Sequence, residues 1–204
     1  MLLDLTGLIK KYNMNIKGVI HVGSHYGEEN NLYDLIGIKK RIFFEPLSSN
    51  FSILKKNISK EYKVVKKALG NENKKIKMYV ETKNSGQSSS ILKPLLHLEQ
   101  YPDIIFDKTE MVDMIRLDDF RMDLRDYNFM CIDVQGYELE VFKGAKKTLE
   151  KIDYIVSEIN NYELYENCAF AKQLIRFLKP YGFKLVEEHC PDISWGDGLF
   201  VKTK

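Results

Sequence analysis

The chain has 204 residues, 44% of them hydrophobic and 29% charged, a composition that excludes a disordered or membrane-embedded polypeptide. Thirty-one basic residues face 29 acidic ones, and a formal net charge of +2 is too small for the electrostatic footprint of a nucleic-acid binder. The length suits one domain over residues 1–204 with a sizeable core.

The opening MLLDLTGLIKKY has an apolar stripe interrupted by Asp4 and no cleavage site, so it predicts a first helix rather than a signal peptide. No run approaches the roughly 18 apolar residues of a membrane span. Cys131, Cys168 and Cys190 show no CxxC or metal spacing. An odd count without a framework suits a reducing compartment, which makes the cytoplasm the expected location.

Val19-Ile20-His21-Val22 is an apolar run ending in Gly23-Ser24-His25-Tyr26-Gly27. Leu32, Leu35 and Ile36 are then spaced for one helix face, and a second run, Ile42-Phe43-Phe44, stops at Glu45. A strand, turn, helix and strand in this order present N–H groups at a helix N-terminus and a carboxylate about one strand away. That suits an anionic tail and a ribose diol, so a nucleoside-containing cofactor is the first hypothesis. The loop is GxxxG, not GxGxxG, and His25 stands where a pyrophosphate needs a second glycine. An amino-acid tail fits better than two phosphates, which disfavours a nicotinamide-dependent enzyme.

Beyond Pro46, Ser48-Ser49-Asn50 offer caps to a helix whose stripe is Phe51, Leu54 and Ile58. Tyr62–Leu69 predicts a third strand near the sheet edge, Gly70–Asn73 a turn, and Ile76–Val80 a strand returned by a hairpin. Residues 83–110 break this rhythm: KNSGQSSS is polar, and ILKPLLHLEQYPDIIF mixes apolar and aromatic residues with two prolines. Such an insert is either a lid or a surface excursion packed by its own side chains; as a lid, it offers Tyr101 and Phe106 to cover an acceptor. Asp118-Asp119 reads as a helix start. Runs at 129–134 and 153–159 predict two more buried strands. Tyr137–Glu150 predicts a helix with Leu139, Phe142 and Leu149 inward, and Glu138 in its first turn has a structural role. Phe170, Leu174 and Leu178 mark another helix. Strands at 183–189 and 198–203, joined by a turn-rich connector, predict an antiparallel hairpin.

In order, HVGSHYGEE, FFEPLSSNF, KALGNENKKIKMYV, SGQSSSI, IRLDDF, CIDVQGYELEVFKGA and IDYIVSEIN resemble the FkbM-type family of S-adenosylmethionine-dependent O-methyltransferases, from about residue 8 to the end. The resemblance implies a Rossmann-like class I methyltransferase. Its sheet is seven-stranded and mostly parallel, with an antiparallel C-terminal hairpin, helices on both faces and the cofactor at the C-terminal strand edges. Relatives methylate hydroxyls of sugars, glycans and polyketides, which implies a saccharide or other small-molecule acceptor. A non-catalytic binding module and an RNA methyltransferase are the alternatives.

Carried over by position, His21, Gly23, Ser24, His25, Tyr26 and Gly27 surround the methionine portion. Glu45, followed by Pro46, accepts from both ribose hydroxyls. Ala68 and Leu69 pack on adenine, and Ser88, Ser89 and Ser90 reach the cofactor's carboxylate. Two positions depart from the family: His21 stands where an acid is common, and Cys131 where a lysine is usual.

Asp133 and Glu158 end strands expected to be neighbours, about 4.8 Å apart. Three roles stay open for them. One acid is a general base for the acceptor hydroxyl; or the pair holds Mg²⁺ with Asn160 as a third ligand; or Asp133 contacts the cofactor while Glu158 anchors a loop. His189, closing a late strand at the same edge, is the second candidate base. His97 is expected to be structural or exposed. No feature of the sequence addresses the oligomeric state.

Overall fold

Apolar runs with hydrophobic residues at every position can be buried on both faces, and such runs become the centre of a sheet. The computed structural model describes residues 1–121, 123–191 and 193–203. In chain order the elements are α1 (Leu5–Lys11), β1 (Gly18–Val22), α2 (Asn30–Leu35), β2 (Lys40–Phe44), α3 (Ser48–Asn57), β3 (Lys63–Val65), β4 (Ala68–Leu69) and β5 (Lys74–Val80). There follow α4 (Leu96–Gln100), β6 (Lys108–Ile115), β7 (Phe129–Ile132), α5 (Glu138–Lys143), α6 (Lys146–Leu149), β8 (Tyr154–Asn160), α7 (Ala171–Leu178), β9 (Phe183–His189) and β10 (Trp195–Lys202).

The main sheet has the order β3-β2-β1-β7-β8-β10-β9. β10 runs antiparallel to both neighbours and the other pairs are parallel. This is the expected seven-stranded arrangement with its C-terminal hairpin. Alternation along each strand divides the core into two layers. Ile20, Val22, Ile42, Phe44, Met130, Ile132 and Ile155 face α5, α6 and α7. Val19, Phe43, Phe129, Cys131, Val156 and Leu199 face α1, Tyr33 and Leu54. Each such side chain contributes about 1.5–3 kcal/mol on burial. Among the described residues no helix is long and apolar enough to cross a membrane.

Several local expectations change. In α2 the buried residue is Tyr33, whose hydroxyl lies 3.2 Å from His21 Nδ1, while Leu35 is 78% exposed. The segment 62–69 divides: β3 stays on the main sheet edge, and β4 leaves it for a second sheet of order β4-β6-β5. β5 therefore pairs with β6, not with the strand before it. Pairing with a strand beyond the insert satisfies its backbone and buries Met78, Val112 and Met114. The helix expected over 137–150 breaks into α5 and α6 at Gly144, where a Cβ would lie 1.9 Å from the Gly70 carbonyl oxygen. Asp118 belongs to a 3-10 turn, Leu117–Asp119, and its carboxylate accepts from the N–H groups of Lys147 and Thr148 at the start of α6. Phe170 precedes α7 and is exposed, leaving Leu174 and Leu178 as the buried stripe.

Candidate active site

The C-terminal ends of β1, β2, β7 and β8 meet at one edge, and the chain turns sharply there. Gly23 follows β1 with φ +73°, and its N–H and that of Ser24 donate to the Phe44 carbonyl at 3.0 and 3.1 Å. A crevice with two lobes opens above this turn. The larger lobe, about 470 Å³, is lined by His21, Gly23, Ser24, His25, Ser88, Asp133 and Glu158, among others. Its size is that of a small-ligand site. The smaller, about 60 Å³, is lined by Glu45, Pro46, Ala68, Leu69 and Ser89, among others. Gly23, His25, Gln87, Asp133 and Gln135 belong to both.

Glu45 is buried at the end of β2. Its carboxylate accepts from the N–H of His25 at 3.0 Å and of Leu47 at 2.9 Å, and burial raises its pKa to about 7 against those two bonds. Ala68 and Leu69 reach the same lobe from the second sheet. His25 acts as a clasp: Nδ1 lies 2.6 Å from Glu28 and Nε2 2.9 Å from the Ser85 carbonyl. With an acceptor facing each ring nitrogen, its pKa is raised, although burial opposes this. The segment around Ser85 is held by buried Glu81, which accepts from the N–H groups of Lys83, Asn84 and Gly86.

Asp133 and Glu158 do come together, and the residue between them is Gln135. Its amide Nε2 donates to Asp133 Oδ1 at 2.8 Å and to Glu158 Oε2 at 2.5 Å. Its own Oε1 lies 2.7 Å from the Tyr165 hydroxyl, which is also 2.8 Å from the Ser88 carbonyl. The Glu158 carboxyl is pushed well above the ordinary carboxylate range, first by burial and then by the charges of Asp133 and Glu138.

The remaining expectations divide. His21 lies in the wall of the larger lobe, buried against Tyr33, and burial lowers its pKa. Tyr26 and Gly27 line neither lobe. Tyr26 stacks on His25, and a Cβ at Gly27 would lie 2.8 Å from Ile58, so this glycine serves packing on α3. The Ser89 hydroxyl accepts from Glu81 N–H, and that of Ser90 donates to the Gln135 carbonyl. His189 is exposed, paired with Asp197 at the end of β9, three strands from β7, and lines neither lobe, so the second candidate base lies outside the site. The divalent-cation reading also loses its ligand set. Asn160 turns its amide nitrogen, not its oxygen, to Glu158, and among the described residues no three His, Cys, Asp or Glu groups are placed to hold a metal ion.

Gln135, Tyr165, Asp197 and Glu81 are the site residues that sequence reasoning passed over. The pair Gln135-Gly136 takes positive φ at both positions, and its place after a strand-closing acid signals no more than a turn. Gln135→Asn tests the bridge, because asparagine tolerates the left-handed backbone but falls short of the carboxylates. Turnover is expected to fall about ten- to a hundredfold with thermal stability little changed; unchanged kcat would mean the amide only fills space.

The chain is similar to known proteins in sequence and in fold. A family model described as the methyltransferase FkbM domain matches residues 21–185. The 2-O-methyltransferase NoeI of Sinorhizobium fredii (strain NBRC 101917 / NGR234) is 33% identical over 126 residues, which are 61% of this chain and 51% of that protein. The chain thus spans about half the length of that curated relative. Magnesium protoporphyrin IX methyltransferase of Synechocystis PCC 6803, solved with bound S-adenosylmethionine, superposes with TM-score 0.55 at 8% identity, over 97% of this chain and 76% of that one. The ribosomal protein L11 methylase of Lactobacillus delbrueckii subsp. bulgaricus gives 0.56 at 10% identity, over 98% and 76%. At such identities the two structures speak for the fold alone.

Proposed function

Since this chain belongs to the FkbM methyltransferase family, we propose that it transfers the methyl group of S-adenosylmethionine to a hydroxyl oxygen of a sugar or related polyol. The observation that carries the proposal is the pairing of lobes across one turn: buried Glu45 in the smaller, Glu158 in the larger, Gly23, His25 and Asp133 common to both. When bound, the cofactor supplies an electrophilic methyl on a positively charged sulfur.

The residues fit such a group. Glu45 offers carboxylate lone pairs to a ribose diol. Pro46, Ala68 and Leu69 form an apolar wall suited to a base, and the Gly23 turn lets the backbone approach closely. The smaller lobe is narrow, about 60 Å³. On the other side Asp133 accepts the proton of the acceptor hydroxyl as the oxygen attacks. Gln135 holds that carboxylate, and Glu158 next to it takes the neutral form favoured by burial. Positioning of oxygen against methyl supplies most of the acceleration. The relative's 2-O-methyltransferase name and the polar, aromatic wall of the larger lobe, with Tyr101 and Trp195, support a hydroxyl acceptor. Three free cysteines suit a reducing cytoplasm.

A labelled-methyl screen over saccharides tests the transfer, and no product with any polyol would count against it. Cofactor binding has its own signature at Glu45. A carboxyl whose folded pKa is raised from 4.5 to about 7 makes the empty protein less stable as pH rises through that window. Ribose donors favour its ionised form, so binding near neutrality expels a proton. Titration with S-adenosylhomocysteine at about pH 6.5, in buffers of different ionisation enthalpy, is expected to show that release in the parent and its loss in Glu45→Gln.

A further inference from the structure

Both amide hydrogens of Gln135 go to carboxyl groups, at 2.8 Å to Asp133 and 2.5 Å to Glu158. The backbone beneath that amide is fixed on three sides. The Ser90 hydroxyl donates to the Gln135 carbonyl at 2.7 Å, Glu138 accepts from Gly136 N–H at 3.2 Å, and Ala169 N–H donates to the Gly136 carbonyl at 3.3 Å. These bonds leave open which way the terminal amide faces, because rotation about its last bond is broad and two-fold.

Tyr165 stands on the other side of the amide. Its segment is pinned by Glu166 N–H to the Lys93 carbonyl and Leu95 N–H to the Leu164 carbonyl, both at 2.8 Å. The side chain is fully buried and lines neither lobe, so it reaches the site only through its neighbours. Its hydroxyl lies 2.7 Å from Gln135 Oε1 and 2.8 Å from the Ser88 carbonyl, so two acceptors face one proton. Burial and the charges of Glu158 and Asp133 hold this phenol well above its ordinary range, and it keeps that proton.

The two orientations of the amide differ in the charge they tolerate. With Nε2 toward the acids, a carboxylate meets donors and Tyr165 gives its proton to Oε1. Turned over, Oε1 would sit against Asp133 and Glu158, which only protonated carboxyls accept; Nε2 would then donate to Tyr165, and Tyr165 to Ser88. The first arrangement is a chain of hydrogen bonds ending on a negative charge. Such bonds are about twice as strong as neutral ones, and each polarises the next. Loss of the hydroxyl therefore weakens the ionised arrangement more than the protonated one.

We infer that Tyr165 is a positioning residue: its hydroxyl donates to Gln135 Oε1, holds the amide nitrogen toward Asp133 and Glu158, and so keeps the proton-accepting carboxylate charged. What that carboxylate does rests on the proposed methyl transfer; the hydrogen-bond chain does not. The other titratable or charged groups facing the pair are Glu138 on α5, Asp197 on β10 and His21 on β1, with the Met1 ammonium beyond Asp197. Tyr165→Phe alters none of these and keeps the ring against His97.

Tyr165→Phe, Gln135→Asn and the double variant are compared with the parent, each as the full chain with S-adenosylhomocysteine. NMR of carboxyl-13C-labelled Asp and Glu against pH reads protonation of the pair without any acceptor. Tyr165→Phe is expected to move proton uptake by the pair to higher pH by about half a unit to one unit. In the double variant, loss of the hydroxyl should add nothing to the shift of Gln135→Asn alone. The Ser88 carbonyl also loses a donor in Tyr165→Phe, and an effect routed through it would add. With an acceptor found by the labelled-methyl screen, the acid limb of kcat moves by the same amount. Above that limb the Tyr165→Phe rate returns to within about threefold of the parent, whereas a packing role would lower kcat equally at every pH. An unmoved titration, or a shift that adds to that of Gln135→Asn, overturns the inference. If the titration shifts but S-adenosylhomocysteine does not bind, or no acceptor is methylated, the methyltransferase proposal fails and the positioning of the pair by Tyr165 stands.

Discussion

Asp133→Asn is expected to lower kcat by about 10²- to 10⁴-fold, the range for loss of a positioned general base, while S-adenosylhomocysteine binds within about threefold of the parent. The replacement is nearly isosteric, and its Oδ1 can still accept from Gln135 Nε2, now at 2.8 Å from Asp133. Only the charge and the proton-accepting ability are removed. Stability should hold or rise, because the Asp133 charge is one of the causes that raise the Glu158 carboxyl. With it gone, Glu158 is expected to titrate lower, and the stability lost as pH rises through its raised pKa should become smaller. Rate, affinity and melting temperature together separate the possible roles. Retained turnover with lost cofactor affinity would make Asp133 a cofactor contact, and full activity would remove it from the mechanism.

Gly23→Ala is expected to destabilise the fold by at least about 3 kcal/mol, measured by urea unfolding. A Cβ there would lie 1.8 Å from the Asp133 carbonyl oxygen and 2.9 Å from its carbon, both backbone atoms that no rotamer change can move. Relief requires β1 and β7 to part where Asp133 N–H donates to the Val22 carbonyl at 3.0 Å. The residue's φ of +73° adds strain of its own. Gly37 is the control: its φ is +77°, but a Cβ there meets nothing within 4 Å. Gly37→Ala should therefore cost only the backbone term, about 1 kcal/mol. Similar losses in both variants would show that conformational strain, not the approach of β7, decides the Gly23 position. Any Gly23→Ala protein that folds should bind S-adenosylhomocysteine poorly, since the displaced segment carries the turn common to both lobes.

The sequence was most informative where burial is complete. β1, β2, β7 and β8 have apolar residues on both faces, and Val19–Val22 or Ile155–Val156 cannot be accommodated elsewhere than in a covered sheet. The acids that close these strands were visible for the same reason, since Glu45 and Asp133 end apolar runs. Legibility failed where identity depends on a distant partner. β6 has a half-exposed alternation, with Val112 and Met114 buried and Met111 exposed, and nothing local says that β5 is its mate. His97 lies in a segment that looks like an irregular excursion, yet α4 carries it into the wall of the lobe. His189 fails in the opposite sense: it closes a strand at the active edge, but β8 and β10 stand between that strand and β7.

The sequence by itself determined the parallel sheet, the C-terminal hairpin and the strand-ending acids, and its motifs carry the resemblance to the methyltransferase family. Hydrophobic periodicity and chain order are local properties that survive without knowledge of what packs against what. Only the tertiary structure decided that Gln135 bridges Asp133 and Glu158, that Asp197 lines the same lobe, and that α4 brings His97 into its wall. Those relations join residues up to about a hundred positions apart in the chain. They are fixed by strand register and by a buried polar group's need for a partner, neither of which is written in any single segment.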